Sequence, residues 1–283
     1  MKIPVISIVM PTYNASEYIS VSIDSILEQI YEDFELIIID DGSTDNTIAI
    51  ISTFRDDRIC LIRNDHDFIG SLNLGMTRAR GKYIVRMDSD DIMLPNRLQI
   101  QYNFMEINPS IDVSGTWMKT FGQREKEMRN AVNHNALQLQ SILFTPIYHP
   151  TAIFRKEVIY NFPKVNGNYQ IYNKEYIYAE DYKLWTVLLI KGSKFANIPQ
   201  ILLHFRHSET QVTSVKQKEM LQTTLRIQNE YIEFIMEKII SKDEKFYDLL
   251  ESSIKLYNMK KIPFSGLKQI VHSIYSEVLV SYE

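Results

Sequence analysis

Apolar residues along this chain alternate between short solid runs and longer runs with helical spacing. Residues 5–10, Val5-Ile6-Ser7-Ile8-Val9-Met10, are mostly β-branched and are stopped by Pro11, which predicts a buried strand. Residues 16–29 place Ile19, Ile23, Ile26 and Leu27 on one helical face, with Ser16 as the expected N-cap. The rhythm repeats as a strand over 34–39, a helix over 44–54 opened by Ser43 or Thr44, and a strand over 59–62. A helix over 69–79 stopped by Gly81, a strand over 83–87 and a helix over 94–105 complete it. Alternating strands and helices predict an α/β fold with a mainly parallel central sheet flanked by helices. Ligands of such sheets bind beyond the carboxyl ends of the strands. Three polar runs fall at such ends: 11–14, 40–45 and 88–91.

The middle of the chain is less regular. Strands are expected at 113–117 and 151–154, and a helix at 182–190 stopped by Gly192. Between them runs a tyrosine-rich loop with Tyr169, Tyr172, Tyr176 and Tyr178. From Ser214 the pattern turns helical, with Leu221, Leu225, Gln228, Tyr231, Ile232 and Ile235 on one stripe. Pro263 and Gly266 break it before a last helix over 267–280.

Composition narrows the function classes. Of 283 residues, 45% are hydrophobic and 23% charged, the range of a globular protein with a sizeable core. The formal net charge of −4, from 31 basic and 35 acidic residues, argues against a nucleic-acid partner, which needs a concentrated basic face. Cys60 is the only cysteine, so no internal disulfide forms; it reads as a small buried apolar side chain, and the lack of pairing suits a reducing cytoplasm. No signal peptide and no membrane span are expected.

Asp88, Asp90 and Asp91 lie within four residues at the end of a strand. Carboxylates this close raise one another's pKa, and a hard cation such as Mn2+ or Mg2+ relieves the repulsion while bridging a pyrophosphate. The plain alternative is an acidic turn that caps the helix behind it. Glu180-Asp181 likewise is either a chemical pair or the acidic first turn of a helix. Trp117, Trp185 and the tyrosines at 172, 176 and 178 are either sugar platforms or packing residues. Residues 75–81 lack the glycine spacing and Lys-Ser/Thr of a phosphate loop.

Taken in order, these segments resemble family 2 glycosyltransferases of the GT-A fold. The matching residues are Ser7-Ile8-Val9-Met10-Pro11-Thr12-Tyr13-Asn14, Ile39-Asp40-Asp41-Gly42-Ser43-Thr44-Asp45, Ser71-Leu72-Asn73-Leu74-Gly75 and Ala79-Arg80-Gly81-Lys82-Tyr83-Ile84. They continue through Arg86-Met87-Asp88-Ser89-Asp90-Asp91, Pro95, Arg97-Leu98, His149-Pro150, Ala179-Glu180-Asp181-Tyr182-Lys183-Leu184-Trp185, and residues 206–214. The resemblance implies an inverting enzyme that moves a sugar from a nucleotide diphosphate donor, UDP-linked, to a saccharide or glycolipid acceptor in surface polysaccharide synthesis. Pro11, Thr12, Tyr13, Asn14, Asp40, Asn73, Asp88 and Arg206 would line the donor pocket, and Asp41 would accept a hydrogen bond from the base. Asp90, with Asp91 and His207, would hold Mn2+ or Mg2+. Asp181 would be the catalytic base, with Glu180, His149 and Trp185 on the acceptor side. Here Arg206-His207-Ser208 departs from the family's Arg-any-His order by one position.

The expected organisation is a catalytic domain over 1–215, with a nucleotide-binding half (1–105) and an acceptor-binding half (106–215). A helical extension over 216–283 follows. Lys255, Lys260, Lys261 and Lys268 lie among Leu256, Tyr257, Phe264 and Leu267 in that extension. The mixture is compatible with peripheral contact at the inner face of the cytoplasmic membrane, with a homodimer, or with plain packing on the catalytic domain. Two rivals are a nucleotidyltransferase, which should carry a Gly-rich basic triphosphate loop that is missing here, and a non-catalytic nucleotide- or glycan-binding module.

Overall fold

The computed structural model describes residues 3–208, 216–240 and 244–280. Four strands come first in a parallel layer: β1 (Ile6–Thr12), β2 (Phe34–Asp40), β3 (Ile59–Arg63) and β4 (Tyr83–Arg86). The helices between them are α1 (Ile19–Leu27), α2 (Thr47–Ile51) and α3 (Phe68–Arg78). A two-residue strand β5 (Ile92–Met93) then precedes α4 (Arg97–Ile107). Next come β6 (Val113–Gly122), β7 (Lys126–Met128), α5 (His134–Gln140), β8 (Ile153–Arg155) and the small hairpin β9 (Lys164–Val165) and β10 (Asn168–Tyr169). Helix α6 (Glu180–Ile190) and the long strand β11 (Phe195–His207) close the sheet. Its order is β3-β2-β1-β4-β8-β6-β11-β5, with β7 on the side of β6. β8 runs antiparallel to both neighbours and separates the parallel strands β3-β2-β1-β4 from the parallel pair β6-β11.

Strand alternation divides the core into two layers. Ile8, Met10, Leu36, Ile38, Tyr83 and Val85 face one side, where Ile19, Ile23 and Ile26 of α1 and Leu98 and Met105 of α4 cover them. Val9, Ile37, Ile39 and Ile84 face the other, against Ile69, Leu72 and Met76 of α3 and Leu184, Trp185 and Leu188 of α6. α3 approaches the sheet closely: a Cβ on Gly75 would sit 2.5 Å from Val9 Cγ1. The C-terminal helices α7 (Gln217–Ile240), α8 (Glu244–Asn258) and α9 (Phe264–Val280) share this second layer. Tyr231, Ile232, Ile235, Leu250, Leu267, Val271 and Ile274 belong to the same cluster as Trp185. Gln228 Nε2 also donates to the Leu143 carbonyl at 2.8 Å. Among the described residues no helix is long and apolar enough to cross a membrane.

Several expectations shift. α1 starts at Ile19 with Tyr18 at the cap position, because the Ala15 carbonyl already accepts from both Tyr18 and Ile19. Ser16 is therefore a turn residue, not a cap. α2 starts at Thr47 after Asn46, not at Ser43 or Thr44. Cys60 is exposed rather than buried, on the edge strand β3. α4 begins at Arg97, and β5 separates it from the acidic run, so Asp88, Asp90 and Asp91 cap no helix. β11 was not expected as a strand, and residues 209–214 of the last matching segment lie outside the described residues.

Candidate active site

Because β1, β2 and β4 are parallel neighbours, their carboxyl ends open on the same edge, as the three polar runs require. The register sets Thr12 beside Asp40 and Val9 beside Arg86. The loops after β1 and β2 are stitched together: Asn14 N–H donates to Ser43 Oγ at 3.0 Å, and Thr44 N–H donates to Asn14 Oδ1 at 2.8 Å. Ala15 N–H donates to Thr47 Oγ1 at 2.8 Å and Ser16 N–H to Asp45 Oδ2 at 3.1 Å. Burial works against the Asp45 charge, but the hydrogen bonds from Thr47 and Ser16 win and lower its carboxyl to about 2. Gly42, at φ +82, supplies the left-handed turn between the two acidic residues and this helix start.

The two aspartates after β2 do different work. Asp41 Oδ1 accepts from Asp67 N–H at 2.8 Å and Ser71 Oγ at 2.6 Å, while Oδ2 pairs with His66 Nδ1 at 3.2 Å. Asp41 thus orients His66, whose ring lies 4.3 Å from that of the half-exposed Tyr13. Asp40 accepts from Ser43 N–H through Oδ2, but its buried Oδ1 has no partner, and neither has Thr12 Oγ1 next to it. Asn73 is turned away from this edge: its amide donates to the Tyr172 carbonyl at 2.9 Å and accepts from Ile171 and Tyr172 N–H at 2.9 and 2.8 Å. Every one of those bonds holds the tyrosine-rich segment.

The acidic run is fixed from three directions. Ser22 Oγ of α1 reaches the carbonyls of Ser89 and Asp91 at 2.9 and 2.8 Å. Arg206, delivered by β11, donates its backbone N–H to Asp91 Oδ1 at 2.8 Å and its Nε to the Asp90 carbonyl at 2.9 Å. Its guanidinium lies 4.0 Å from the Tyr18 ring centre. Asp91 is fully buried, and burial together with the charges of Asp88 and Asp90 pushes its carboxyl well up; its Oδ2 has no partner. Asp88 forms an ion pair with Arg86. His207 follows Arg206 with Nδ1 unpartnered. Among the described residues no three His, Cys, Asp or Glu side chains converge on one point, so Asp90, Asp91 and His207 do not form a ready-made three-ligand set.

Two buried arginines lie behind this run. Arg97 donates to Gln101 Oε1 at 2.9 Å and to the Arg86 carbonyl at 3.0 Å, and burial pushes its guanidinium down to about 9. Arg86, 3% exposed, shares its face of β4 with Ile84 and therefore points toward α6. Burying a guanidinium costs several kcal/mol unless it is paired. An arginine inside an otherwise apolar strand was a signal in the sequence that went unused.

α6 supplies the acceptor side. Glu180 and Asp181 occupy its first turn, behind the N-cap Ala179 and Tyr178, which holds a positive φ of 71. Asp181 Oδ1 accepts from Tyr182 N–H at 2.7 Å. Burial raises the Asp181 carboxyl to about 6, against lowering by the Tyr182 N–H and by Arg86. Burial and the Asp181 charge raise Glu180 to about 7. Two carboxylates poised near neutrality suit general-base work. His149 is buried, its Nε2 2.8 Å from Tyr172 Oη, and burial with the Arg86 charge keeps it neutral. Trp185 has zero exposure and stacks 5.4 Å from Phe154, so it packs the core behind the site and cannot carry a sugar. Tyr172 and Tyr176 are buried as well.

The model of glycosyl transferase family 2 matches residues 7–163. The chain belongs to this family. Over 96% of its length it is 33% identical to an uncharacterized glycosyltransferase of Haemophilus influenzae, covering 86% of that protein. A second relative is the Escherichia coli UDP-Glc:alpha-D-GlcNAc-diphosphoundecaprenol beta-1,3-glucosyltransferase WfgD, 31% identical over 76% of this chain and 82% of that one. Among solved structures, glucosyl-3-phosphoglycerate synthase from Mycobacterium tuberculosis, in complex with Mn2+, UDP and phosphoglyceric acid, shares the fold. Its TM-score is 0.57 at 17% identity, over 80% of this chain and 78% of that one. The chain is therefore a glycosyltransferase with the GT-A fold.

Proposed function

We propose that this glycosyltransferase moves a sugar from a UDP-linked donor, with inversion, to a hydroxyl of a lipid-linked saccharide. The observation that carries the reading is the Glu180–Asp181 pair, set at the start of α6 with carboxyls raised to about 7 and about 6. Direct displacement needs a base on the acceptor hydroxyl, and Asp181, with Oδ1 held by Tyr182, would take that proton through its other oxygen. Glu180 then tunes it from the adjacent position. The UDP donor and lipid diphosphate acceptor are those named for the E. coli relative. Such an acceptor would bring the working enzyme to a membrane surface.

On the donor side, the unpartnered Asp40 Oδ1 and Thr12 Oγ1 would meet the nucleoside, with Tyr13 over His66 as the stacking surface. Asp88 would face the ribose. Asp90, backed by the inward Asp91 whose Oδ2 lacks a partner, fits a hard divalent cation, because Mn2+ and Mg2+ take one or two carboxylates and complete their shell with diphosphate oxygens. When bound, the cation neutralises the leaving diphosphate. The reading is tested by incubating the protein with a panel of UDP-sugars, Mn2+ and a lipid-diphosphate GlcNAc acceptor, and assigning the product anomer by NMR. A β-linked product from an α-linked donor is expected. A product that retains the donor's configuration would overturn the direct-displacement assignment.

A further inference from the structure

The functional reading leaves Arg86 without a role, although the fold puts it where the two halves of the site meet. Arg86 ends β4, two residues before Asp88, and alternation turns its side chain to the α6 face of the sheet. It is 3% exposed; one Nη pairs with Asp88 Oδ1, and its buried Nε has no partner. On the donor side its neighbours are Asp88 and Asp91; on the acceptor side the same positive charge is felt by Glu180, Asp181, Tyr172 and His149. Arg97, the other buried arginine of this region, is spent on Gln101 and the Arg86 carbonyl.

We infer that Arg86 is a positioning residue shared by both halves: it fixes the Asp88 carboxylate for the donor and is the counter-charge that lets the Glu180–Asp181 pair ionise. The ordering follows from the placement. Arg86 lies on the face of β4 that packs against α6, whose first turn carries Glu180 and Asp181, and it is paired with Asp88. Asp181 feels the charges of Arg86 and Asp88 from the β4 side, while Tyr172 and His149, both buried and neutral, add no compensating charge. Arg86 pulls the proton off this pair, whereas Asp88 pushes against it. Tying Asp88 to Arg86 therefore offsets part of that repulsion. The inference rests on the proposed role of Asp181 as base.

The test compares Arg86→Met, Arg86→Lys and Asp181→Asn in the full chain, with thermal melts and UDP binding as checks of folding. Readouts are donor KM, kcat, and the acidic limb of kcat/KM against pH. In wild type that limb rises through about 6, because Asp181 must be deprotonated. Arg86→Met should move the limb upward by about one unit, a shift of ordinary size for loss of one nearby charge, and so lower kcat/KM by about threefold at pH 6.5 and by close to tenfold at pH 5. It should also raise donor KM. Arg86→Lys keeps the charge but not the fork, so its limb should stay near the wild-type position while donor KM rises several-fold. A folded Arg86→Met variant with its limb unmoved overturns the inference. Should the methionine variant not fold, the lysine variant decides, and an unchanged donor KM would overturn the positioning of Asp88. Loss of the base assignment looks different: Asp181→Asn would then keep its activity and its acidic limb.

Discussion

The two acidic clusters of this glycosyltransferase are built on opposite terms. Asp88, Asp90 and Asp91 lie at a strand end and are anchored from several sides: Arg86 pairs with Asp88, the Arg206 backbone N–H donates to Asp91 Oδ1, and Arg206 Nε donates to the Asp90 backbone carbonyl. Glu180 and Asp181 open a helix in a poorly hydrated recess and have few partners, so their carboxyls rise toward neutrality. The difference shows what each cluster is suited to. A carboxylate cluster anchored by one ion pair and by its backbone can present oxygens to a cation and a diphosphate without moving. A pair left short of hydrogen bonds holds or releases a proton near pH 7.

The comparison breaks most sharply at Asp181. Asp181→Asn should lower kcat by about 10²- to 10⁴-fold, the usual worth of a general base, with donor KM nearly unchanged because the donor half is untouched. Steady-state kinetics with varied UDP-sugar checks this; an equal rise in donor KM would place Asp181 among the donor contacts. Asp90→Ala should do the reverse. The Mn2+ concentration for half-maximal activity should rise at least about tenfold, the lower end of what loss of a metal-supporting group costs, and UDP should bind more weakly in Mn2+ but not in EDTA. An alanine variant with wild-type Mn2+ activation would remove Asp90 from the metal site.

How much of this could be read from the sequence differs between the same two regions. The strand ends at 11–14, 40–45 and 88–91 were legible because β1, β2 and β4 are buried, apolar and stopped by polar runs, a pattern that local chemistry dictates. β11 was not legible: Pro199 interrupts it, its ladder shifts register between Ile198 and Leu203, and its pairing with β6 is set by distant contacts. Yet β11 is what delivers Arg206 to Asp91. Asn73 and Trp185 were placed at the site by resemblance, and both build its frame, since nothing in local sequence says which way a buried amide or indole turns. The Asp40 and Asp41 pair shows the same limit. Two adjacent residues on a strand end point to opposite sides, and side-chain partners alone distinguish the one bonded to Ser71 and His66 from the one with an unpartnered oxygen.

Asn73 gives a smaller, purely structural prediction. Its amide makes the three bonds that hold residues 171–172, so Asn73→Ala should destabilise the fold by about 2–4 kcal/mol, the cost of stranding buried backbone groups. Denaturant titration measures this. UDP affinity of the folded variant should match wild type, and a weakened nucleotide with unchanged stability would place Asn73 in the donor pocket.

The finest distinction lies within the acceptor pair itself. Asp181 lies at about 6, and burial together with the Asp181 charge lifts Glu180 to about 7. Between those values Asp181 is deprotonated while Glu180 still carries its proton, so activity should begin to rise before Glu180 titrates. Ionisation of Glu180 then adds a second negative charge beside the base and makes Asp181 a stronger proton acceptor. Glu180→Gln removes that second step and leaves the first, because the amide cannot ionise. The acidic limb of kcat/KM should then follow one ionisation near 6, with kcat above pH 7 reduced only a few-fold. If Glu180→Gln instead lost as much activity as Asp181→Asn, the two carboxylates would have to exchange roles: Glu180 would take the proton from the acceptor, and Asp181 would set its charge.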